Sequence, residues 1–120
     1  MEARAEARMV RVSPQKARLV IDLIRGMKAG EAVTVLSATN RRIAPAVLKV
    51  LRSAIANAEN RSSDVDVDAL RVTEAYVNEG PRQKRVRPAP MGRAYRYQRR
   101  TSHIIVKVGD GAPAAAEAAE

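Results

Sequence analysis

Apolar residues recur along the chain with two different periods, which predict the order of its secondary-structure elements. Alanines at every second position from Ala3 alternate with charged residues, and this period of two is typical of a half-buried strand over about residues 2–12. Because Ala, Glu and Arg favour helix, a helical or frayed terminus is the alternative. Segments 70–77 and 103–108 are rich in β-branched residues and are also predicted to be strands.

Two short helices are predicted after the first strand. Ser13 can cap a helix and Pro14 fits its first position, while Gly26 is a good stop. Helical spacing of the apolar residues between them supports this helix. A second short helix is expected to follow Gly30 and to end near Thr39.

A longer third helix is predicted next. Asn40 is a candidate N-cap, but Pro45 is unfavourable outside the first turn, so the alternatives are a slightly later start and a kink. Residues at i, i+3, i+4 and i+7 form its apolar stripe, which consists of Ala44, Val47, Leu48, Leu51, Ile55 and Ala58. A polar loop over residues 60–64 should separate this helix from the second strand.

The segment between the last two predicted strands, GPRQKRVRPAPMGRAYRYQRRTSH (80–103), has no apolar face. Pro88, Pro90 and Gly92 lie near its centre, where a hairpin would reverse direction. Strand, polar ribbon and strand together predict an extended β-hairpin over about residues 78–102. Because a two-stranded ribbon is marginal in water, and this one repels itself, we expect a polyanion to complete it.

The positive charge is concentrated in this ribbon. The net charge is +9, and residues 81–100 hold 8 of the 22 basic residues and no carboxylate. The remaining 100 residues have 14 basic and 13 acidic side chains. A field concentrated in this way indicates a nucleic acid or a membrane surface as partner. A membrane ribbon would need larger apolar side chains on one face, so nucleic acid is favoured.

Arginine and tyrosine are the residues that give the ribbon its chemistry. Guanidinium groups fork onto phosphates and stack on bases, and Arg outnumbers Lys seven to one in residues 81–100. Tyr95, Tyr97 and Arg99 share one face at period two, where the rings could stack on unpaired bases. The alternatives are a solvated charged loop and tyrosines that only shield the backbone.

Catalysis and metal binding have little support. The chain has no cysteine, and Ser102 and His103 are adjacent on a strand and therefore face opposite ways. The alternating aspartates at 64–68 resemble a calcium loop, but Ala69 and Ala75 stand where Gly and Glu are needed. No glycine-rich phosphate loop, membrane-length apolar run or signal-like N-terminus is found. We expect no metal and no cofactor.

Several strings closely resemble the family of bacterial ribosomal protein twenty-two of the large subunit. They are SPQKARLVIDLIRG (13–26), VLRSAIANAEN (50–60) and YVNEGPRQKRVRPAPMGRAYRYQRRTSHI (76–104), in this order, and the likeness extends over about residues 2–108. The resemblance implies an α+β fold in which three helices pack on a small three-stranded antiparallel sheet with one long protruding β-hairpin. One RNA-binding domain is expected over residues 1–110, and the Ala-rich tail at 111–120 is expected to be disordered.

The resemblance also implies a function and partners. The protein would be a structural constituent of the large subunit in the cytoplasmic ribosome, not an enzyme. Its partners would be several domains of large-subunit ribosomal RNA, neighbouring large-subunit proteins and the nascent peptide, with no membrane. The tip of the hairpin would line the peptide exit tunnel, where family members are linked to macrolide and peptide-stalling responses.

Three groups of site residues follow from charge pattern and resemblance together. The predicted RNA contacts of the ribbon are Arg82, Lys84, Arg85, Arg93, Tyr95, Arg96, Tyr97, Arg99 and Arg100. The predicted tunnel tip is Arg87, Pro88, Ala89, Pro90, Met91, Gly92 and Arg93. A second basic set outside the ribbon is Arg11, Lys16, Arg18, Arg41 and Arg42, although these could be ordinary surface charges.

Two other classes of function stay open at this stage. An architectural DNA-binding protein could use the ribbon as an arm, with a proline wedged between base steps. Such proteins are usually dimers, and the sequence shows no obvious dimer seam. An enzyme with a basic substrate groove is the other, but no convergent His–carboxylate set supports it.

Overall fold

The computed structural model describes residues 2–61 and 69–109, which form helices on one face of a small sheet and a separate two-stranded ribbon. The principal extents are 64 × 30 × 25 Å. The elements in chain order are β1 (Glu2–Val10), α1 (Pro14–Ile24), α2 (Ala29–Ala38), α3 (Ala44–Arg61), β2 (Arg71–Glu79), β3 (Gln83–Pro88), β4 (Ala94–Arg99) and β5 (Ser102–Gly109).

The body is built on a three-stranded antiparallel sheet in the order β1–β5–β2. The central strand β5 directs Ile104, Val106 and Val108 into the core, where all three are fully buried. On the other face Ile105 is also buried, beside Tyr76 of β2. The last strand among the described residues, β5, therefore holds the sheet together.

Helix α1 closes the outer edge of β2. The guanidinium of Arg18 donates to the carbonyl of Val77 at 3.1 Å, and Nε of Arg25 donates to the carbonyl of Ala75 at 2.8 Å. The turn between α1 and α2 forms further backbone hydrogen bonds with the start of β2. Since a free strand edge invites pairing with other chains, these contacts protect the sheet.

Helix α3 approaches β1 closely because both contribute small side chains. Ala54 and Ala58 of α3 are fully buried, and Ala3 and Ala5 face the same core. Side chains near the end of the helix also donate hydrogen bonds to backbone carbonyls of β1. Asn57, for example, donates to the carbonyl of Arg4 at 2.9 Å. The small residues of α3 that are buried thus serve helix–strand packing.

The predicted fold class is confirmed, and most predicted elements lie where the pattern placed them. Ser13 caps α1, since its hydroxyl accepts from the Lys16 backbone N–H at 3.4 Å. Gly26 follows α1 with a φ of 76°, a left-handed conformation that favours glycine at the end of a helix.

Helix α3 starts later than its candidate cap, which was the alternative that Pro45 left open, and α2 starts earlier than predicted. Asn40 is not the cap of α3, because that helix begins only at Ala44. Pro45 explains the shift: it lacks the N–H that a longer helix would need and is tolerated only in the first turn. Helix α2 begins at Ala29, so Gly30 lies inside its first turn rather than before it.

Other predictions fall on parts of the chain that the structure does not describe. The aspartates at 64–68, most of the loop at 60–64 and the tail at 111–120 lie outside the described residues. Within residues 2–61 and 69–109, no helix is both long enough and apolar enough to cross a membrane. The single-domain boundary at 110 stays a prediction.

The core predicts how substitutions affect stability. Replacing Leu51, which is fully buried on α3, with Ala should lower the free energy of unfolding by about 2–5 kcal/mol, because it removes packed methyl groups and leaves a cavity. Leu19 on α1 is 52% exposed, so Leu19→Ala should cost less than about 1 kcal/mol. Urea denaturation of both variants measures the difference; equal losses would contradict this description of the core.

Candidate nucleic-acid interface

The basic segment forms a two-stranded antiparallel ribbon of β3 and β4. Pairing runs from Gln83 opposite Arg99 to Pro88 opposite Ala94. All six residues of each strand are exposed, so neither face of the ribbon packs on the body. Burial normally stabilises a strand pair. Because this ribbon has none, it depends on its own backbone pairing, on its attachment to the body between Glu79 and Gln83, and on a binding partner.

The pairing register divides the ribbon into two chemically different faces. One face carries most of the arginines together with both tyrosines, and it consists of Gln83, Arg85, Arg87, Tyr95, Tyr97 and Arg99. The opposite face is more mixed, and it consists of Lys84, Val86, Pro88, Ala94, Arg96 and Gln98. The predicted common face of Tyr95, Tyr97 and Arg99 is confirmed.

The register also keeps the cations of the two strands apart. Arg85 lies opposite Tyr97, Arg87 opposite Tyr95, and every other cation of β3 and β4 also lies opposite an uncharged residue. A slip by one residue in one direction would put Arg85 opposite Arg96, and a slip in the other would put Arg87 opposite Arg96. Since like charges directly opposite each other destabilise a strand pair, charge placement selects this register.

Arg87 and Tyr97 form the one cation–π contact among the described residues. The guanidinium carbon of Arg87 lies 5.2 Å from the centroid of the Tyr97 ring. At an exposed site such a contact is worth about 0.5–1 kcal/mol. It holds a flat cation and a flat ring together on the face that could receive bases.

The tip is a tight turn with its apolar side chain in solvent. Met91 and Gly92 both have left-handed backbone conformations, with φ of 61° and 70°. The Ala89 backbone N–H donates to the carbonyl of Arg93 at 2.9 Å and closes the loop. Met91 is 95% exposed, so the outermost part of the hairpin presents a thioether rather than a charge.

Arg82 is placed differently from the other predicted ribbon contacts. Its guanidinium pairs with the carboxylate of Glu79, at the end of β2, and donates to the side-chain oxygen of Gln98 on β4 at 3.1 Å. The hydrogen bond and charge of Arg82 lower the pKa of the Glu79 carboxyl from its ordinary value of 4.5. Sequence reasoning missed Glu79 and Gln98, although the three-residue spacing of Glu79 and Arg82 was visible.

The second basic set is distributed over separate elements. Arg18 is engaged with the edge of β2, as described above. The rest are exposed, with Arg11 and Lys16 around the start of α1 and Arg41 and Arg42 in the turn before α3. Direct RNA contacts of this set and of the ribbon stay predictions.

His103 has a structural partner. Its Nδ1 accepts the backbone N–H of Met9 at 3.1 Å, where β1 bulges and Met9 adopts a φ of 56°. Across residues 2–61 and 69–109 no group of three or more His, Cys, Asp or Glu side chains is placed to hold a metal ion.

Comparison with known proteins gives one consistent result. The family model of ribosomal protein L22p/L17e matches residues 5–109. A large ribosomal subunit protein uL22 from Solibacter usitatus is 74% identical over 108 residues, which are 90% of this chain and 96% of the relative. Proteins of the same name from Staphylococcus haemolyticus and Staphylococcus aureus (strain Newman) are 53% and 52% identical over 98% of this chain and their entire length.

The Glu79–Arg82 pair predicts a pH dependence of stability. Because the pKa of Glu79 is lower in the folded chain, the pair should stabilise the fold above the ordinary Glu value of 4.5 and lose this effect as pH falls through the lowered pKa. Wild type should therefore exceed Glu79→Gln in free energy of unfolding at neutral pH, and the two should converge in acid.

Denaturation at a series of pH values measures this convergence. Glu59→Gln, which removes a carboxylate from the exposed surface of α3, is the control for a general effect of charge. A constant difference between wild type and Glu79→Gln from neutral to acid pH would contradict the proposed pairing.

Proposed function

Because the chain belongs to the ribosomal protein L22p/L17e family, we propose that its ribbon binds large-subunit ribosomal RNA and that its tip lines the nascent-peptide exit tunnel. As a member of this family the protein is a structural component of the large subunit in the cytoplasmic ribosome and not an enzyme. It associates there with ribosomal RNA and with other ribosomal proteins. Which of its residues make those contacts is part of the proposal.

One observation carries the RNA assignment: a strand pair exposed on both faces that contains cations and no carboxylate. The nearest acidic side chain along the chain, Glu79, is already paired with Arg82. Outside the ribbon, by contrast, several surface cations have acidic partners, as in the Arg8–Glu6 and Lys107–Glu74 pairs. The ribbon is thus where an anionic partner gains most.

The exposed faces suggest how the ribbon would act in folded RNA. A ribbon that is cationic on both sides can lie between two RNA segments and neutralise phosphates of both, which lowers the repulsion that keeps them apart. On the arginine-rich face, Tyr95 and Tyr97 offer rings on which unpaired bases can stack. The backbone pairing supplies the geometry, and the RNA supplies the burial that the ribbon lacks.

The tip would have a different task from the two arms. From Pro88 to Gly92 it has no charged side chain, and the almost fully exposed Met91 is followed by Gly92, which has no side chain. Such a surface leaves room for a passing peptide and offers it few strong binding groups. We propose that residues 87–93 contact the nascent peptide, while the basic set on the body adds RNA contacts beside α1 and α3.

DNA is the alternative polyanion, through a β-ribbon arm with a proline at its tip. Family membership favours RNA. Competition between duplex DNA and folded ribosomal RNA for the free protein separates the two, since an architectural DNA-binding protein would prefer the duplex.

Replacing Arg96 and Arg99 by Ala should weaken binding to large-subunit RNA and flatten its salt dependence. Each phosphate contact contributes about 0.7–0.9 log units of affinity per log unit of salt, so losing two should reduce the slope by about 1.5. Filter-binding titrations at several salt concentrations measure the slope.

The control is Arg4→Ala with Arg8→Ala, which removes the same charge from β1, where both arginines pair with Glu6. Its slope should stay near that of wild type. Equal slopes for all three proteins would remove Arg96 and Arg99 from the proposed interface.

Gly92→Ala should alter peptide stalling or macrolide sensitivity without preventing subunit assembly. An added Cβ at Gly92 meets nothing within 4 Å, but the φ of +70° disfavours any side chain, so the turn should change shape. Gly30→Ala is the matched control, since it also adds a methyl group in open space. Wild-type stalling and drug response in Gly92→Ala ribosomes would count against a tunnel-facing tip.

A further inference from the structure

The hairpin leaves the body through a root with unequal strands. The last pair of the body sheet is Glu79 opposite Ser102, and the first pair of the ribbon is Gln83 opposite Arg99. Three residues on the outgoing strand therefore face two on the returning strand. One extra residue in a strand pair is a bulge, which bends the strand and increases its twist at a fixed place.

Hydrogen bonds close this root from both strands. The Gly80 backbone N–H donates to the carbonyl of Thr101 at 2.9 Å, and the Thr101 hydroxyl donates to the carbonyl of Pro81 at 2.6 Å. Pro81, which has no N–H to donate, suits the irregular position. The root is thus a specific hydrogen-bonded structure rather than a loose connection.

Glycine at position 80 is required by this packing. A Cβ there would lie 2.5 Å from the Thr101 hydroxyl oxygen, 3.2 Å from the Thr101 carbonyl carbon and 3.3 Å from Cε1 of His103. The hydroxyl could move away only by giving up its bond to Pro81. His103 is in turn held by the Met9 N–H, so the root is in contact with the bulge of β1.

Arg82 links both ends of the root. Its pairing with Glu79 connects it to the body, and its hydrogen bond to Gln98 connects it to the returning arm. On the body side Ser102 is fully buried, and its hydroxyl donates to the carbonyl of Val12 at 2.7 Å. One side chain therefore spans the bulge, and the strand beyond the bulge is anchored in the core.

We propose that this root, formed by Gly80, Arg82, Thr101 and Glu79, is a preformed joint that fixes the direction of the ribbon relative to the body before any RNA is bound. Arg82 is then a positioning residue, and the RNA contacts of the ribbon begin beyond it. The joint does not require RNA, so this inference and the proposed function can fail separately.

The experiment measures the distance between body and ribbon in the free, full-length protein. The chain has no cysteine, so spin labels can be placed at Ser53→Cys on the exposed side of α3 and at Ala94→Cys on β4 without other changes. Pulsed electron–electron double resonance between the two labels should give a narrow distance distribution for the otherwise wild-type protein. Gly80→Ala and Arg82→Gln should each lose this narrow distribution.

Two controls separate the joint from general effects. Gly30→Ala adds a methyl group in open space, and Arg85→Gln removes a ribbon cation whose side-chain bonds stay within β3. Both should keep the narrow distribution. If Gly80→Ala does not fold, Arg82→Gln alone decides. A broad distribution in the wild-type background, or a narrow one in Arg82→Gln, would overturn the proposal.

Discussion

Repulsion among the cations of one exposed strand pair is the constraint on which the rest of this structure depends. This ribbon is exposed and cationic on both faces, so it has no hydrophobic face and lacks the burial that normally holds two strands together. Three compensations are visible. Each cation of β3 and β4 lies opposite an uncharged residue, Arg87 lies against the ring of Tyr97, and the two strands are joined at a hydrogen-bonded root.

The body provides what the ribbon cannot. Its core consists of aliphatic side chains and alanines, with β5 at the centre of the sheet and helices on one face. The chain enters the ribbon from β2 and returns directly into β5, so both arms continue into buried strands. The edge of β2 is occupied by Arg18 and Arg25, which leaves it protected where it leads into the hairpin. The packed core of the body thus fixes the two strands from which the arms of the ribbon extend, and so holds the arms next to each other at their base.

Local sequence patterns were sufficient to predict the strands and helices. They did not predict features that depend on residues farther along the chain. Period two and period 3.6 placed strands and helices because each side chain's burial depends on its own position. Asn40 failed as a cap because Pro45 sets the start of α3. The hydrogen bond from Arg18 to Val77, 59 positions away, was not predicted, because only the folded sheet brings the two residues together. The hairpin itself was predicted from two strands that flank a polar ribbon with turn formers at its centre, whereas the expected position of its tip at the exit tunnel came only from the family resemblance.

Arg82 was predicted to contact RNA because of its charge, and its contacts support a positioning role instead. The difference shows why charge alone is a poor guide to function in such a segment. It has the same charge as its neighbours, but it is the one cation of the ribbon within three residues of a carboxylate, and its partner lies on the body side of the bulge. A cation that is satisfied within the protein has less to gain from a phosphate, since forming the new contact means giving up the old one. Because neither face of the ribbon packs on the body, its direction relative to the body is set at its root. There Ser102 is buried, and the contact between Gly80 and Thr101 leaves no space for a side chain at position 80. In our proposal, Arg82 at this root positions the ribbon rather than binding RNA.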